Sequence, residues 1–176
     1  NIFISMLFAS LVGEGAISQI YYADRIIDLP FALVAVAMSF TLLPYLSKNI
    51  SDESKNSRAF NETVIFFFLF AIPSAFGIFI LSEEIIRVLF GRGEFSNNDV
   101  LITSKILLIY SFSLPGYMLA RIFNQVFYSY EKVEYPVRAA VPTFICNLIL
   151  CFLFYKPFGV IGLALAGAIS VWLNLF

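Results

Sequence analysis

Residues 21–30 read YYADRIIDLP, and the run from Leu29 to Ser47 that begins inside this stretch contains no charged residue. A run of this length can cross the hydrocarbon core of a bilayer, which is about 30 Å thick. Asp24, Arg25 and Asp28 are therefore placed at or inside one end of a predicted membrane helix. Ionisable side chains in such positions are costly and usually face a cavity or a partner.

The three charges fall close together on that helix. Asp24 and Asp28 are four residues apart and share a face, and Arg25 and Asp28 are three apart. An acid, a base and an acid so placed can neutralise one another, and they can open to offer Arg25 to an anion. The alternative is a capped helix end whose charges reach the lipid headgroups, and position alone leaves both interpretations open.

The composition is that of an integral membrane protein. Only 13% of the residues are charged, whereas a soluble domain has about 25%. Barrel strands would read as short alternating segments, which this sequence lacks, so we predict an all-α, polytopic transmembrane helix bundle. The net charge of −1 gives no basic surface for nucleic acid, and the absence of histidine removes the commonest metal ligand. We predict neither catalytic residues nor a metal site.

Uncharged runs and helix breakers divide the chain into predicted membrane segments. The spans are about 1–12, 17–46, 61–82, 99–128, 136–155 and 159–176. The first and last are truncated, so we interpret the chain as a fragment of a longer membrane protein that opens and closes inside helices. Proline and glycine interrupt several of these helices, which is more typical of a transporter than of a static anchor.

The distribution of lysine and arginine predicts the orientation in the membrane. One set of loops carries Lys48, Lys55, Arg58, Lys132 and Arg138, and the opposite set carries Arg87, Arg92 and Lys156. Because cytoplasmic loops carry the excess of positive residues, we place the first set in the cytoplasm. The charged end of the second helix then points toward the outer side.

Five stretches resemble the signatures of one family, and they occur in that family's order over almost the whole chain. They are YYADR at 21–25 with Asp28 and Pro30 after it, LLPYLS at 42–47, LFGRGEFS at 89–96, FYS at 127–129 with PVR at 136–138, and GLALA at 162–166 with WLN at 172–174. Together they resemble the C-terminal lobe of the MurJ (MviN) lipid II flippases.

The resemblance implies a fold and a function. The family fold has two six-helix lobes plus a C-terminal helix pair, in the superfamily of the MATE exporters, and residues 1–176 correspond to about helices 7–12. The implied function is to flip lipid II, the undecaprenyl-pyrophosphate-linked peptidoglycan precursor, to the outer leaflet of the bacterial cytoplasmic (inner) membrane by alternating access. The implied partners are lipid II, the lipid bilayer and the N-terminal lobe of the same chain.

The resemblance also implies site residues. Arg25 matches a cavity arginine that binds the pyrophosphate of the substrate, with Asp28 and Asp24 beside it. Some members bind sodium among helices 7, 11 and 12, and Asn147 matches one ligand position. Cys151 stands where the pattern has an acid, and a thiol is a poor ligand for a hard cation. We expect no resident cofactor, and coupling to sodium or to the membrane potential stays open.

Two other functions stay open from the residues. A related exporter could carry other lipid-linked oligosaccharides or drugs, although a drug pocket would favour acids without Arg25. A membrane-embedded prenyl-phosphate enzyme would need paired acids that bind a metal ion, and no further acidic cluster supports Asp24 and Asp28 in that role.

Overall fold

The structure, a computed structural model, describes residues 2–48, 53–130, 132 and 134–175. In that part of the chain every regular element is an α-helix. The five elements are α1 (Ile2–Val12), α2 (Ala16–Lys48), α3 (Glu53–Phe90), α4 (Asn97–Ser129) and α5 (Glu134–Leu173). Three segments, Phe60–Phe90, Asn97–Ser129 and Glu134–Leu173, are long and apolar enough to cross a membrane. The predicted all-α membrane bundle is confirmed.

Helix α5 contains a turn that divides it into two antiparallel halves. Gly159 has φ 55° and ψ −133°, in a region of backbone conformation that favours glycine, and it lies between helical residues on either side. Asn147 and Ser170, which lie at nearly equal distances along the chain from Gly159, are hydrogen-bonded to each other. The predicted spans 136–155 and 159–176 correspond to these halves, called α5a (134–158) and α5b (160–173) below.

Helix α3 extends beyond both ends of the predicted span 61–82. Its polar first part is helical from Glu53, and the exposed pair Arg58–Glu62, with a nitrogen–oxygen distance of 2.9 Å, is one of the contacts there. At the other end Leu81 departs from helical geometry, with φ −102° and ψ 16°. The helix therefore bends at Leu81, and its last residues form a short segment after the bend.

Helix α4 is the centre of the bundle, since it packs against α2, α3 and both halves of α5, whereas α1 packs chiefly on α5. Large side chains of α4 are fully buried: Ile106, Leu107, Leu114, Met118 and Ile122. Many other large apolar side chains are exposed, including Phe3, Leu69 and Val88, each more than 65% accessible. So many exposed apolar side chains fit a chain whose outer side contacts lipid.

Helix α4 begins at a capping box. The Ser96 hydroxyl accepts a hydrogen bond from the Asp99 backbone N–H at 3.2 Å, and the Asp99 carboxylate accepts one from the Ser96 N–H at 3.0 Å. The same carboxylate accepts a hydrogen bond from Gln19 of α2 at 2.8 Å. Asp99 therefore both starts α4 and ties it to the first turn of α2.

Replacing Asp99 with alanine is expected to destabilise the protein by about 1–2 kcal/mol, because it removes the capping box and the bond from Gln19 together. The measurement is thermal unfolding of the full-length protein in detergent. Asn98→Ala is the matched control, since Asn98 is exposed in the same helical turn. Equal unfolding midpoints for the two variants would contradict the structural role of Asp99.

Candidate functional site

The predicted site residues lie on the second helix, on a face that the described chain leaves uncovered. Ala23, Ile26 and Ile27 are buried against the bundle, so the opposite side of α2 is exposed. That side, called the open face here, consists of Tyr21, Arg25, Asp28, Leu29 and Leu33. The helical period of 3.6 residues produces this division, because the buried and exposed residues alternate at intervals of three and four.

Arg25 is held chiefly by an aromatic residue one turn earlier. Its Nη2 donates a hydrogen bond to the Tyr21 hydroxyl at 2.7 Å, and its guanidinium carbon lies 4.7 Å from the centre of the Tyr21 ring. The ion pair with Asp28 is long, with 3.9 Å between Nη1 and Oδ2. Both side chains of this pair are more than half exposed, so the pair contributes little stability.

Asp24 lies at the edge of the open face and is half-buried. The structure thus brings Arg25 and Asp28 together as predicted, and it places Asp24 beside them at the border with the core. Sequence reasoning missed Tyr21 as the partner of Arg25, although the i, i+4 spacing of the two residues could have indicated the contact.

The cluster is suited to an anion. A guanidinium carries five N–H donors in a planar fork that matches the oxygens of phosphate and carboxylate groups. Tyr21 takes one bond, and the distance to Asp28 is too long for a close pair. Because Arg25 is exposed, its remaining donors can reach a ligand on the open face without any rearrangement of the core. The two acids limit how strongly an anion is held there, since they leave the cluster with a net negative charge.

A cavity of about 460 Å³ lies near the start of the same helix. It is lined by Gly15, Ser18, Tyr22, Phe90, Arg92, Glu94, Phe95 and Asp99. The Tyr22 ring stacks on Phe90 at 4.5 Å and meets Phe95 edge-on at 5.6 Å. These contacts fix the first turns of α2 against the end of α3, and so they fix the position from which Arg25 projects.

Asn147, the predicted ion ligand, lies on α5a in the bundle interior and is completely buried. Its amide donates a hydrogen bond to the Ser170 hydroxyl of α5b at 3.1 Å. One turn away along the same seam, the Thr143 hydroxyl lies 3.2 Å from Asn174 Oδ1. These polar contacts join the two halves of α5. In the described part of the chain, no group of three or more His, Cys, Asp or Glu side chains is placed to hold a metal ion.

A helical bundle with membrane-length segments and a charged cluster on an uncovered face defines a polytopic membrane protein of the transporter type. The family model for the lipid II flippase MurJ matches residues 1–176. The chain belongs to the MurJ family, which confirms the family predicted from the five sequence signatures.

Individual relatives agree with the family match. A probable lipid II flippase MurJ from Aquifex aeolicus is 38% identical over 172 residues, which are 97% of this chain and 34% of the relative. A probable lipid II flippase MurJ from Buchnera aphidicola subsp. Schizaphis graminum is 34% identical over 179 residues, covering 100% of this chain and 35% of the relative. The chain therefore spans about a third of the length of these relatives.

A solved structure of lipid II flippase MurJ in an inward closed conformation has a similar fold. The TM-score is 0.87 at 33% sequence identity, and the match covers 98% of this chain and 37% of that chain. The arrangement of α1 to α5 is thus that of one part of a larger flippase structure.

Proposed function

We propose that the protein containing this chain flips lipid II from the inner to the outer leaflet of the bacterial cytoplasmic membrane. The observation that carries the proposal is Arg25, whose guanidinium is exposed on the open face of α2 in a member of the MurJ family. Relatives over the whole chain are named as probable lipid II flippases, which favours this function over a drug exporter or a prenyl-phosphate enzyme.

The chemistry of the substrate explains why such a face is needed. A pyrophosphate headgroup cannot enter hydrocarbon, so it needs a cationic and hydrated path through the protein. Arg25 binds the pyrophosphate oxygens in a bidentate manner, which gives both attraction and orientation. Asp28, only 3.9 Å from Arg25, competes for the guanidinium and assists release of the anion. Asp24 adds negative charge at the edge of the same cluster.

The open face is completed by the N-terminal lobe of the same chain. Leu29 and Leu33 are 63% and 76% exposed beside the charged pair, so the face combines an apolar stripe with a polar cluster. Two lobes that face one another across such a surface form a central cavity, and rocking of the lobes exposes that cavity to each side in turn. The lipid tail stays in the bilayer while the headgroup crosses.

The membrane potential assists this direction of transport. Each elementary charge that crosses is worth about 2.3 kcal/mol per 100 mV. An anionic headgroup moving from a negative interior to the outside therefore moves down the electrical gradient. Arg25 supplies the positive charge that stabilises the anion in the low-dielectric region, and the two acids beside it limit how tightly the anion is held.

The full-length gene is expected to restore growth in a bacterium depleted of its own lipid II flippase. The readout is the share of lipid II that becomes accessible at the outer leaflet. The protein level in the membrane is checked by immunoblot. An unrelated polytopic membrane protein expressed from the same vector is the negative control. A full-length protein that is present in the membrane but leaves lipid II in the inner leaflet would contradict the proposed function.

A further inference from the structure

A chain of buried side-chain hydrogen bonds joins α1 to both halves of α5. Ser5 of α1 is hydrogen-bonded to Cys151 of α5a. The Cys151 sulfur lies 3.9 Å from Asn147 Oδ1, and the Asn147 amide donates to the Ser170 hydroxyl at 3.1 Å. All four side chains are buried, and Cys151, Asn147 and Ser170 have no accessible surface. This junction is the place where the family resemblance predicted a sodium ligand.

The oxygen atoms at this junction are engaged in hydrogen bonds. Asn147 Oδ1 accepts the weak bond from the Cys151 thiol, and the Ser170 hydroxyl donates to the Ala166 carbonyl at 2.7 Å while it accepts from Asn147. A cation would have to break these bonds before it could use the oxygens. Each polar group of Asn147 and Ser170 that the cation displaced would then lose its partner in a buried position.

The charge balance at the junction is also unfavourable for a cation. None of the four side chains carries a negative charge, and a buried ion without a counter-charge is strongly destabilised. Hard cations bind oxygen ligands, and acidic side chains supply both the oxygens and the compensating charge. A neutral thiol supplies neither. The residues present therefore do not fit a sodium ion.

We propose that this neutral hydrogen-bonded chain takes the place of a cation at the junction of α1 with the two halves of α5. The contact between Asn147 and Ser170 holds α5a against α5b, and Cys151 extends the contact to Ser5. The stability of the protein is consequently expected to be the same whether the cation in solution is sodium or potassium. On the function proposed above, transport has no sodium requirement at this site.

The test compares thermal unfolding of the full-length protein, purified in detergent, in sodium chloride and in potassium chloride at equal concentration. We expect the wild-type midpoint to be the same in both salts. A wild-type midpoint that is higher in sodium, with the difference abolished in Asn147→Ala, would overturn the proposal. Because the readout is stability, the result is independent of which substrate the protein transports.

A gain-of-function variant sharpens the test. Cys151→Asp places a carboxylate between Ser5 and Asn147, and we expect its midpoint to rise by about 2 °C or more in sodium relative to potassium. Cys146→Asp is the control, since it adds the same charge on the same helix at a partly exposed position and should show no such difference. A folded Cys151→Asp protein without a sodium response would show that the missing carboxylate is not the reason for sodium independence. If Cys151→Asp does not fold, the wild-type comparison decides the proposal alone.

Discussion

Replacement of Arg25 by alanine is expected to lower lipid II transport by roughly 10- to 100-fold without loss of the folded protein. Hydrogen bonds to charged groups are worth about 1.5–3 kcal/mol, and each 1.4 kcal/mol corresponds to a factor of about ten. The side chain of Arg25 is 59% exposed, so its removal leaves no cavity in the core. The effect should therefore appear in transport and not in the unfolding midpoint.

Arg25→Lys separates the role of charge from the role of geometry. Lysine keeps the positive charge but lacks the planar fork of donors, so we expect a transport rate between those of the alanine variant and the wild type. The measurement is accessible lipid II in cells that depend on the variant, with membrane level checked by immunoblot. Arg87→Ala is the matched control, since Arg87 is also a half-exposed arginine paired with an acid one turn away, Glu83, but on α3.

Two results would contradict the assignment of Arg25 as a ligand of the substrate. If Arg25→Ala supports wild-type transport at equal protein level, the cluster is only the polar end of a helix. If Arg25→Ala and Arg87→Ala lower transport equally, the loss reflects a general effect of surface charge and not contact with the substrate.

The sequence was sufficient for the helical class and for the placement of the charges on α2, because both depend on local order. Arg25 and Asp28 are three residues apart, and any helix brings them together. The five signatures were also sufficient for the family. The contact of Tyr21 with Arg25 is local in the same way, and it could have been predicted from spacing alone.

Contacts between distant residues could not be predicted in this way. Gln19 and Asp99 are 80 residues apart, and their hydrogen bond depends on how α2 and α4 pack. Asn147 and Ser170 are an intermediate case. Once a turn is placed at Gly159, two residues at similar distances from it must lie opposite each other in an antiparallel pair, but the rotation of each half about its axis is set by packing.

The ends of the helices differ from the predicted spans for a physical reason. A hydropathy pattern reports the length of chain that suits hydrocarbon, whereas helical structure continues wherever backbone hydrogen bonds and local pairs allow it. Residues 53–58 of α3 are polar but helical, and the pair Arg58–Glu62 is of the i, i+4 kind that stabilises exposed helices. The predicted span 61–82 is thus a part of α3 and not the whole helix.

The second large effect is expected at Gly116, where α5b packs closely against α4. A Cβ at this position would lie 3.1 Å from Val171 Cγ1 and 3.4 Å from the Trp172 ring. The Trp172 indole N–H also donates a hydrogen bond to the Phe112 carbonyl of α4 at 3.2 Å. Phe112 lies in the turn before Pro115, and a proline disturbs the backbone hydrogen bonds of that turn. A larger residue at position 116 therefore pushes Val171 and Trp172 away from α4, which disrupts their packing and weakens this hydrogen bond.

Gly116→Leu is expected to destabilise the full-length protein by about 1–3 kcal/mol through overpacking. Gly77→Leu is the matched control, because Gly77 also lies inside a membrane-length helix but has no neighbouring atom within 4 Å of an added Cβ. Thermal unfolding in detergent should show a lower midpoint for Gly116→Leu alone. Ser170 lies on α5b, so a displaced α5b should also strain the hydrogen bond between Ser170 and Asn147. The loss of stability caused by Asn147→Ala should therefore be smaller in the Gly116→Leu protein than in the wild type. Equal midpoints for the two glycine variants would mean that α4 and α5b have room to separate, and that the Trp172 bond does not fix their distance.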